Sequence, residues 1–243
     1  MTTTLDVENG KPNAPACDAH AYNYARFKSG MYDFETFGGP DVGDTLRDAE
    51  LETLDGRTVR LSDFLDGKPF VLETGSLTCP MYGNSAPVMQ ALADKHGETF
   101  NFAVMYVREA HPGERGRAHT SMAHKHRAAS RSADYHGDQR TMLIDSVDGR
   151  AHKLYGAMPN SIFVFDASGT VVFRSIWNNA EKMDPILSRI ANGQLVTEGD
   201  LKPQPPFNPA SWATLFQGGL VSIWDFVISL FSLIGKHRKR GNM

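Results

Sequence analysis

The sequence of 243 residues contains only two cysteines, Cys17 and Cys79. Two cysteines are too few for a disulfide scaffold, and they do not form the close pairs of a structural zinc site. This scarcity indicates a reducing compartment. The first fifteen residues also lack a basic segment followed by an apolar run, so no secretory signal is predicted and the cytoplasm is the expected location.

An excess of positive charge is missing as well. The chain has 25 basic and 28 acidic residues and a formal net charge of -3, which argues against a nucleic-acid-binding protein because that class needs a basic face. His119, His124 and His126 are spaced so that a helix would scatter them over different faces, and neither a metal site nor a cofactor is expected. They are predicted to belong to a solvated basic face together with Arg117, Lys125, Arg127 and Arg131.

Strand-like and helix-like segments alternate between residues 40 and 192, as in an α/β domain. A hairpin is predicted at 50–54 and 58–61, because Asp55-Gly56 supplies the positive φ angles of a tight turn. The other segments are strands at 69–75, 100–107 and 142–147, helices at 85–96, 117–133 and 185–191, and a hairpin at 162–166 and 171–175. Together they predict a central mixed sheet flanked by helices.

Three further segments flank this domain. Residues 193–214 are rich in proline and predict a stiff linker. Residues 215–243 are predicted to be a hydrophobic helix with a basic tail. Residues 1–39 combine a polar leader with an arm that is expected to dock on the domain through Tyr22, Tyr24, Phe27, Tyr32, Phe34 and Phe37.

The hydrophobic run from Leu215 to Gly235 contains one charged residue, Asp225. A helix of this length is just long enough to cross about 30 Å of hydrocarbon. Two interpretations stay open: association with a membrane, spanning it or lying on its cytoplasmic face, and docking on the domain or a second subunit with the polar side toward solvent. The small and polar residues form one stripe along the helix, namely Gly218, Ser222, Asp225, Ser229 and Ser232.

Cys79 stands between a predicted strand and a predicted helix. Backbone N–H groups at a helix N-terminus favour the nucleophilic thiolate, so Cys79 is predicted to carry redox chemistry. Tyr82 occupies the position of the second cysteine in a Cys-x-x-Cys motif, which argues against ordinary dithiol activity. Met158 and Pro159 lie where thioredoxin-like domains carry a cis proline, and with Pro80 they are the candidate residues of a substrate groove.

Three motifs resemble the iodothyronine deiodinases in content and order. They are residues 75–80 (Gly-Ser-Leu-Thr-Cys-Pro), 105–112 (Met-Tyr-Val-Arg-Glu-Ala-His-Pro) and 154–159 (Leu-Tyr-Gly-Ala-Met-Pro). The resemblance covers about residues 70–180 and implies a thioredoxin-like fold. It places Cys79 at the position of the family's catalytic selenocysteine, and Leu77 where the family often has an additional cysteine. The residues implied to assist Cys79, chiefly by delivering protons, are Thr78, Tyr106, Glu109 and His111, with Glu109 setting the tautomer of His111.

The resulting hypothesis is a single-cysteine, thiol-dependent oxidoreductase of the deiodinase type. Cys79 would attack an oxidised or halogenated small molecule, and an external thiol of the thioredoxin or glutathione type would regenerate it. Cys17 is either a resolving thiol or an unpaired leader residue. A peroxidase is one alternative, weakened because Leu72 and Ser76 occupy the proline and threonine positions of the peroxiredoxin signature. A non-catalytic, membrane-associated adaptor is the other, and a homo-oligomer is left open.

Overall fold

A computed structural model of the chain describes residues 22–32, 37–196, 201–202 and 209–239, with side chains up to residue 230. Its centre is a seven-stranded mixed sheet in the order β2-β1-β5-β4-β3-β6-β7, in which β3, β4 and β5 are parallel to one another. The strands are β1 (Glu50–Thr53), β2 (Thr58–Arg60), β3 (Phe70–Gly75), β4 (Asn101–Tyr106), β5 (Thr141–Ile144), β6 (Ile162–Phe165) and β7 (Val171–Ser175).

Six α-helices accompany the sheet in the described part of the chain. They are α1 (Pro80–His96), α2 (Met122–His136), α3 (Arg150–Leu154), α4 (Met183–Ala191), α5 (Pro209–Gly218) and α6 (Leu220–Lys239). Short 3-10 helices lie at Ser29–Met31, Leu61–Phe64 and Ala180–Lys182. The predicted mixed sheet with flanking helices is therefore confirmed.

The central strands are buried on both faces, and in β3 the burial extends to the polar residues Glu73 and Thr74. On one face, Leu72 and Phe163 pack with Leu51 and with Tyr155, which follows α3. The other face of the sheet carries a second cluster built by α1 and α4, with Val71, Val164, Met89, Leu92, Ile186 and Leu187. This double burial fixes the end of β3, from which the chain runs to Cys79.

Several element boundaries differ from the prediction for local reasons. α1 begins at Pro80 instead of residue 85, because proline is tolerated in the first turn of a helix, where its missing N–H has no partner to lose. α2 begins only at Met122, because the Ser121 hydroxyl accepts the backbone N–H of His124 and caps the helix there. α3 was not predicted; the Asp145 carboxylate caps it by accepting the N–H groups of Ala151 and His152.

The aromatic arm docks on the domain as predicted. Tyr22, Tyr24, Phe27 and Tyr32 are all buried. The Arg108 guanidinium lies between three of these rings, 4.9 Å, 5.1 Å and 4.9 Å from the centroids of Tyr22, Tyr24 and Tyr32, an arrangement that favours a cation. The leader with Cys17, and Phe34 of the arm, lie outside the described residues.

The C-terminal hydrophobic run forms two helices instead of one. Gly219 breaks it with a φ of +102°, which glycine adopts without strain, and α5 starts at Pro209 inside the predicted linker. Most of the rest of that linker, residues 197–200 and 203–208, lies outside the described residues. We call α5 and α6 the C-terminal hairpin. Among the described helices, none is long and apolar enough to cross a membrane.

The described part of the polar stripe, from Gly218 to Ser229, is buried and faces the domain instead of solvent. Ser222 donates its hydroxyl to the carbonyl of His111 at 2.8 Å, and Asp225 pairs with Arg26 of the arm. The docking interpretation is therefore correct, but its expected orientation is wrong. The hairpin instead exposes apolar side chains, most strongly Leu220, Trp224 and Ile228, which are 68%, 62% and 61% exposed.

Candidate active site

Cys79 occupies the N-cap position of α1, at the junction of strand and helix that the sequence predicts. Its side chain is buried, with 1% exposed. Burial raises the pKa of the Cys79 thiol to about 12, although the backbone N–H groups of Met81 and Tyr82 favour the thiolate. The negative charges of Glu73 and Glu109 raise this pKa further. The expectation of a ready thiolate is therefore wrong for this closed state, because loss of hydration outweighs the helix terminus.

Thr78 connects the cysteine loop to Glu109. Its backbone N–H and its hydroxyl both donate to Oε2 of Glu109, at 3.0 Å and 2.7 Å. The other oxygen of this carboxyl group accepts the Tyr106 hydroxyl. Burial raises the pKa of Glu109, and these hydrogen bonds oppose that shift only in part. Three of the residues that the resemblance implies, Thr78, Tyr106 and Glu109, are thus in direct contact beside Cys79.

His111 joins the same group through its backbone and not through its ring. Its N–H donates to the Thr78 hydroxyl oxygen at 3.1 Å. The imidazole packs between Phe27 and Phe226, with centroid distances of 4.2 Å and 5.4 Å, and burial lowers its pKa to about 3. Glu109 is engaged by Thr78 and Tyr106, so the predicted setting of the His111 tautomer by Glu109 is wrong.

His119 is the residue that the sequence interpretation missed. It precedes α2 and is buried, with Nε2 3.4 Å from Oε1 of Glu109 and its ring centroid 5.8 Å from that of Tyr106. Burial, followed by the charge of Lys125, lowers the pKa of His119. The sequence analysis treated His119 as part of a helix, and a helix pattern cannot place it beside Glu109. His119 in fact lies in a loop before α2 begins.

Lys125 also departs from the predicted solvated basic face. It is fully buried and its ammonium donates to the Ser146 carbonyl at 3.1 Å. Burial lowers the pKa of Lys125 to about 8, and the carboxylates of Asp145 and Glu109 oppose that shift. Lys125 is thus a buried cation within the electrostatic reach of Glu109. Among the described residues, no group of His, Cys, Asp and Glu side chains is arranged to hold a metal ion.

The predicted substrate groove is closed. Met158, Pro159 and Pro80 are all buried, and the Met158–Pro159 peptide bond is trans, so the expected cis proline is wrong. The turn before Met158 is formed by Gly156 and Ala157, which both have positive φ angles, 84° and 55°. The Met158 carbonyl is then held by the Thr74 hydroxyl at 3.0 Å and by Nε2 of His152 at 2.7 Å.

A buried charged network lies behind the cysteine and was also missed. Glu73 pairs with Arg140 at 2.7 Å, and Arg140 also binds Asp138 at 2.6 Å. Tyr82, which stands where a second cysteine would be, donates its hydroxyl to Asp138 at 2.7 Å. The remaining donors to Glu73 are the side chains of Ser85, Asn160 and Asn178. One cation therefore serves two carboxylates in the core beneath Cys79.

The C-terminal hairpin and the arm complete the enclosure of the site. Phe226 of α6 and Phe27 of the arm cover the His111 ring, and Arg26 holds the two covering elements together through Asp225. Glu114 fixes the start of α6 by accepting the backbone N–H groups of Leu220 and Val221. The cover lies over the His111 ring, whereas Cys79 itself is buried in a cluster of the domain that includes Tyr82, Tyr106 and Ala110.

Comparison with known proteins identifies the family of the chain. The family model described as iodothyronine deiodinase matches residues 19–177, which is more than half of the sequence. The chain belongs to the iodothyronine deiodinase family. Type II iodothyronine deiodinase from Bos taurus is 34% identical over 77 residues, covering 31% of this chain and 29% of the relative. Thyroxine 5-deiodinase from Rattus norvegicus is 26% identical over 148 residues, covering 56% and 46%. The chain thus spans less than half the length of these relatives.

Solved structures with low sequence identity share the fold. A putative protein disulfide isomerase from Bacteroides thetaiotaomicron has a TM-score of 0.50 and 18% identity, covering 66% of this chain and 94% of its own. A putative thiol:disulfide interchange protein from Chlorobium tepidum has a TM-score of 0.50 and 19% identity, covering 63% and 98%. An uncharacterised protein from Geobacillus kaustophilus has a TM-score of 0.54, 18% identity and coverages of 68% and 88%. The predicted thioredoxin-like fold is confirmed.

Proposed function

We propose that this deiodinase-family chain is a thiol-dependent oxidoreductase in which Cys79 is the nucleophile toward a halogenated or oxidised small molecule. The observation that carries the proposal is the double hydrogen bond from Thr78 to Glu109. These two bonds hold the buried Glu109 carboxyl group against Thr78, the residue that precedes Cys79. The proposed nucleophile and the proposed proton donor lie on two different loops, which these hydrogen bonds hold together.

Glu109 has the properties of a general acid. Its raised pKa, caused by burial, keeps its proton to a higher pH than an exposed glutamate would. Tyr106 and Thr78 orient the carboxyl group through their hydroxyls. Nε2 of His119 lies 3.4 Å from Oε1, the oxygen that accepts the Tyr106 hydroxyl. A proton could therefore pass from this cluster to a leaving carbon or oxygen atom near Cys79.

For a halogenated aromatic substrate the bond changes are as follows. The Cys79 thiolate attacks the halogen, an S–halogen bond forms, the carbon–halogen bond breaks, and the carbon takes a proton. Two molecules of an external thiol then reduce the sulfenyl halide, which releases halide and a proton and yields the Cys79 thiol and a disulfide. With a peroxide, the same cysteine would be oxidised to a sulfenic acid and reduced in the same way.

The reaction requires the cover over Cys79 to open. A thiol with 1% exposure cannot meet a substrate, and burial is the cause of its raised pKa. Movement of the C-terminal hairpin would admit water and lower that pKa, because the N–H groups of Met81 and Tyr82 would then dominate. Opening would thus supply both access and activation.

The second candidate is a non-catalytic adaptor. The closure of Cys79 favours it, as does the apolar surface of α6 at Leu220, Trp224 and Ile228, which could meet a partner or a membrane surface. In this interpretation Cys79 is a packing residue. The two candidates differ in whether any condition makes the thiol react with a substrate.

The test measures iodide release from an iodinated phenol with dithiothreitol as the reductant. The full-length chain is compared with Cys79→Ser, with its matched control Cys17→Ser, and with Glu109→Gln against the exposed Glu98→Gln. We expect release to depend on dithiothreitol, to be abolished by Cys79→Ser and to fall at least tenfold in Glu109→Gln. Both controls should keep the rate of the unmodified chain.

Release that survives Cys79→Ser would refute the proposal. Absence of release and of hydrogen peroxide consumption, together with no alkylation of Cys79 between pH 6 and pH 10, would favour the adaptor. Hydrogen peroxide consumption without iodide release would instead identify a peroxidase.

A further inference from the structure

A basic cleft lies beside the cysteine loop and takes no part in the proposed chemistry. Its volume is about 130 Å³, several times the roughly 15 Å³ that one water molecule needs. Leu77, two residues before Cys79, contributes to its wall, and Gly116 connects it to the C-terminal hairpin. The other lining residues are Arg115, Arg117, His124, Arg127, Ala128 and Arg131.

Four arginines thus line one cleft whose wall contains no carboxylate, and the Glu114 carboxylate, which interacts with the charge of Arg115, lies outside that lining. Arg127 and Arg131 are four residues apart on α2, a spacing at which like charges repel and destabilise a helix. In the described part of the chain, none of the four forms an ion pair. The adjacent Glu114 carboxylate is engaged by the first N–H groups of α6. An anion in the cleft would relieve this repulsion.

Neutral contacts hold three of the guanidinium groups in place. Arg131 donates to the carbonyl of Arg115 at 3.2 Å and to the Gln217 side chain at 2.7 Å. Arg115 lies over the Phe216 ring, 4.4 Å from its centroid, and Arg117 donates to the Glu114 carbonyl at 3.3 Å. A guanidinium has five N–H donors, so these contacts orient it and leave donors for a ligand.

The local field at the cleft is positive. Partial burial lowers the pKa of His124, and the charges of Arg127 and Arg117 lower it further. The imidazole therefore stays neutral while the arginines, which remain charged at any ordinary pH, supply the field. Planar guanidinium groups bind carboxylates and phosphates with paired, parallel hydrogen bonds. The chemistry of the cleft thus matches an oxyanion and not a neutral ligand.

We propose that this cleft is a binding site for a small oxyanion, a phosphate or a carboxylate group, held by Arg115, Arg117, Arg127 and Arg131. The site is independent of the reaction at Cys79. It is nevertheless joined to the cysteine loop, because Leu77 lines it and a Cβ atom at Gly116 would lie 2.6 Å from the Thr78 methyl carbon. A bound anion would therefore brace this loop.

The test titrates the full-length chain with inorganic phosphate by calorimetry, at constant ionic strength set with sodium chloride. The cleft variant is Arg117→Gln with Arg127→Gln. The matched control is Arg57→Gln with Arg150→Gln, which removes two exposed arginines that already face carboxylates. We expect saturable binding at one site, weakened at least tenfold in the cleft variant and within twofold of the unmodified chain in the control.

A second arm replaces phosphate with succinate and identifies the source of the oxyanion. Binding of both anions with mutual competition supports a general oxyanion site, and binding of one alone assigns the ligand class as phosphate or as carboxylate. The absence of saturable binding for both anions would overturn the proposal. An equal loss of anion affinity in the control variant would also overturn the proposal, because binding would then depend on net charge and not on the cleft. Circular dichroism of each variant verifies that it is folded.

Discussion

The hydroxyl of Ser222 donates a hydrogen bond of 2.8 Å to the backbone carbonyl of His111. It joins the last helix to the loop that carries Glu109 and His111, and Gly218 lies directly against the same carbonyl. This contact places the polar stripe of the C-terminal hairpin on the candidate active site. The hairpin is therefore part of the site's architecture and not an appendage.

The first prediction concerns the close approach at Gly218. A Cβ atom there would lie 2.5 Å from the His111 carbonyl oxygen and 2.6 Å from the Ser222 Cβ atom, so Gly218→Ala must displace the hairpin. We expect alkylation of Cys79 by iodoacetamide to become at least tenfold faster, measured by mass spectrometry in a Cys17→Ser background. Gly30→Ala is the control, because a Cβ at Gly30 meets no atom within 4 Å. An unchanged rate in Gly218→Ala would show that the hairpin does not control access.

The second prediction concerns the buried pair Glu73 and Arg140. Arg140→Met would leave the carboxylates of Glu73 and Asp138 in the core without their cation. Removing one partner of a buried ion pair typically costs about 3–5 kcal/mol, and we expect a loss of that order in the free energy of unfolding in urea. The double variant Glu73→Gln with Arg140→Met should recover part of the loss. The exposed Arg57→Met should be nearly neutral, and a similarly small effect at Arg140 would contradict the prediction.

The third prediction follows from the lowered pKa of His111, about 3 in the folded protein. The unfolded chain takes up a proton near pH 6.5, the ordinary histidine pKa, whereas the folded chain does not until about pH 3. Stability therefore falls as the pH drops below 6.5. His111 should contribute a slope of about 1.4 kcal/mol per pH unit, which His111→Gln removes.

The measurement compares urea unfolding of the two proteins between pH 4.5 and pH 7.5. At pH 7.5 both side chains are neutral, so the difference in stability there reports packing alone and serves as the internal reference. The advantage of the unmodified chain should shrink steadily below pH 6.5. A difference that stays constant with pH would mean that His111 is accessible to protons in the folded state.

Local patterns predicted much of the sheet and the position of Cys79 between a strand and a helix. The hairpin around Asp55-Gly56 and the strand before Cys79 follow from short-range chemistry, and both are observed. The turn differs from the prediction, because Gly56 has a positive φ angle and Asp55 does not. Thr78, Tyr106 and Glu109 were placed together by resemblance to a family whose motifs bring them into register. Such features depend on residues close in sequence, or on motifs that carry a known spatial relationship.

The surroundings of Cys79 were not predictable in the same way. The ion pair between Glu73 and Arg140 joins residues 67 positions apart, and the sequence around each residue does not indicate which residue it pairs with. The thiolate prediction failed because the N–H groups at the helix start are visible in the sequence, whereas the burial that opposes them comes from distant segments. The hydrophobic run at the C-terminus gave no indication of which side would be buried, because its polar side proved to be the docking face.

The order of the chain adds a consequence of the C-terminal cover. About 140 residues lie between Cys79 and Gly218, so a ribosome working at about 5–20 residues per second needs roughly 7 to 28 s to add the hairpin after the cysteine. During that interval the loop that carries Glu109 and His111 lacks the helix that is hydrogen-bonded to it. The hydrogen bond between Ser222 and the His111 carbonyl is therefore one of the last contacts that the growing chain can make at the candidate site.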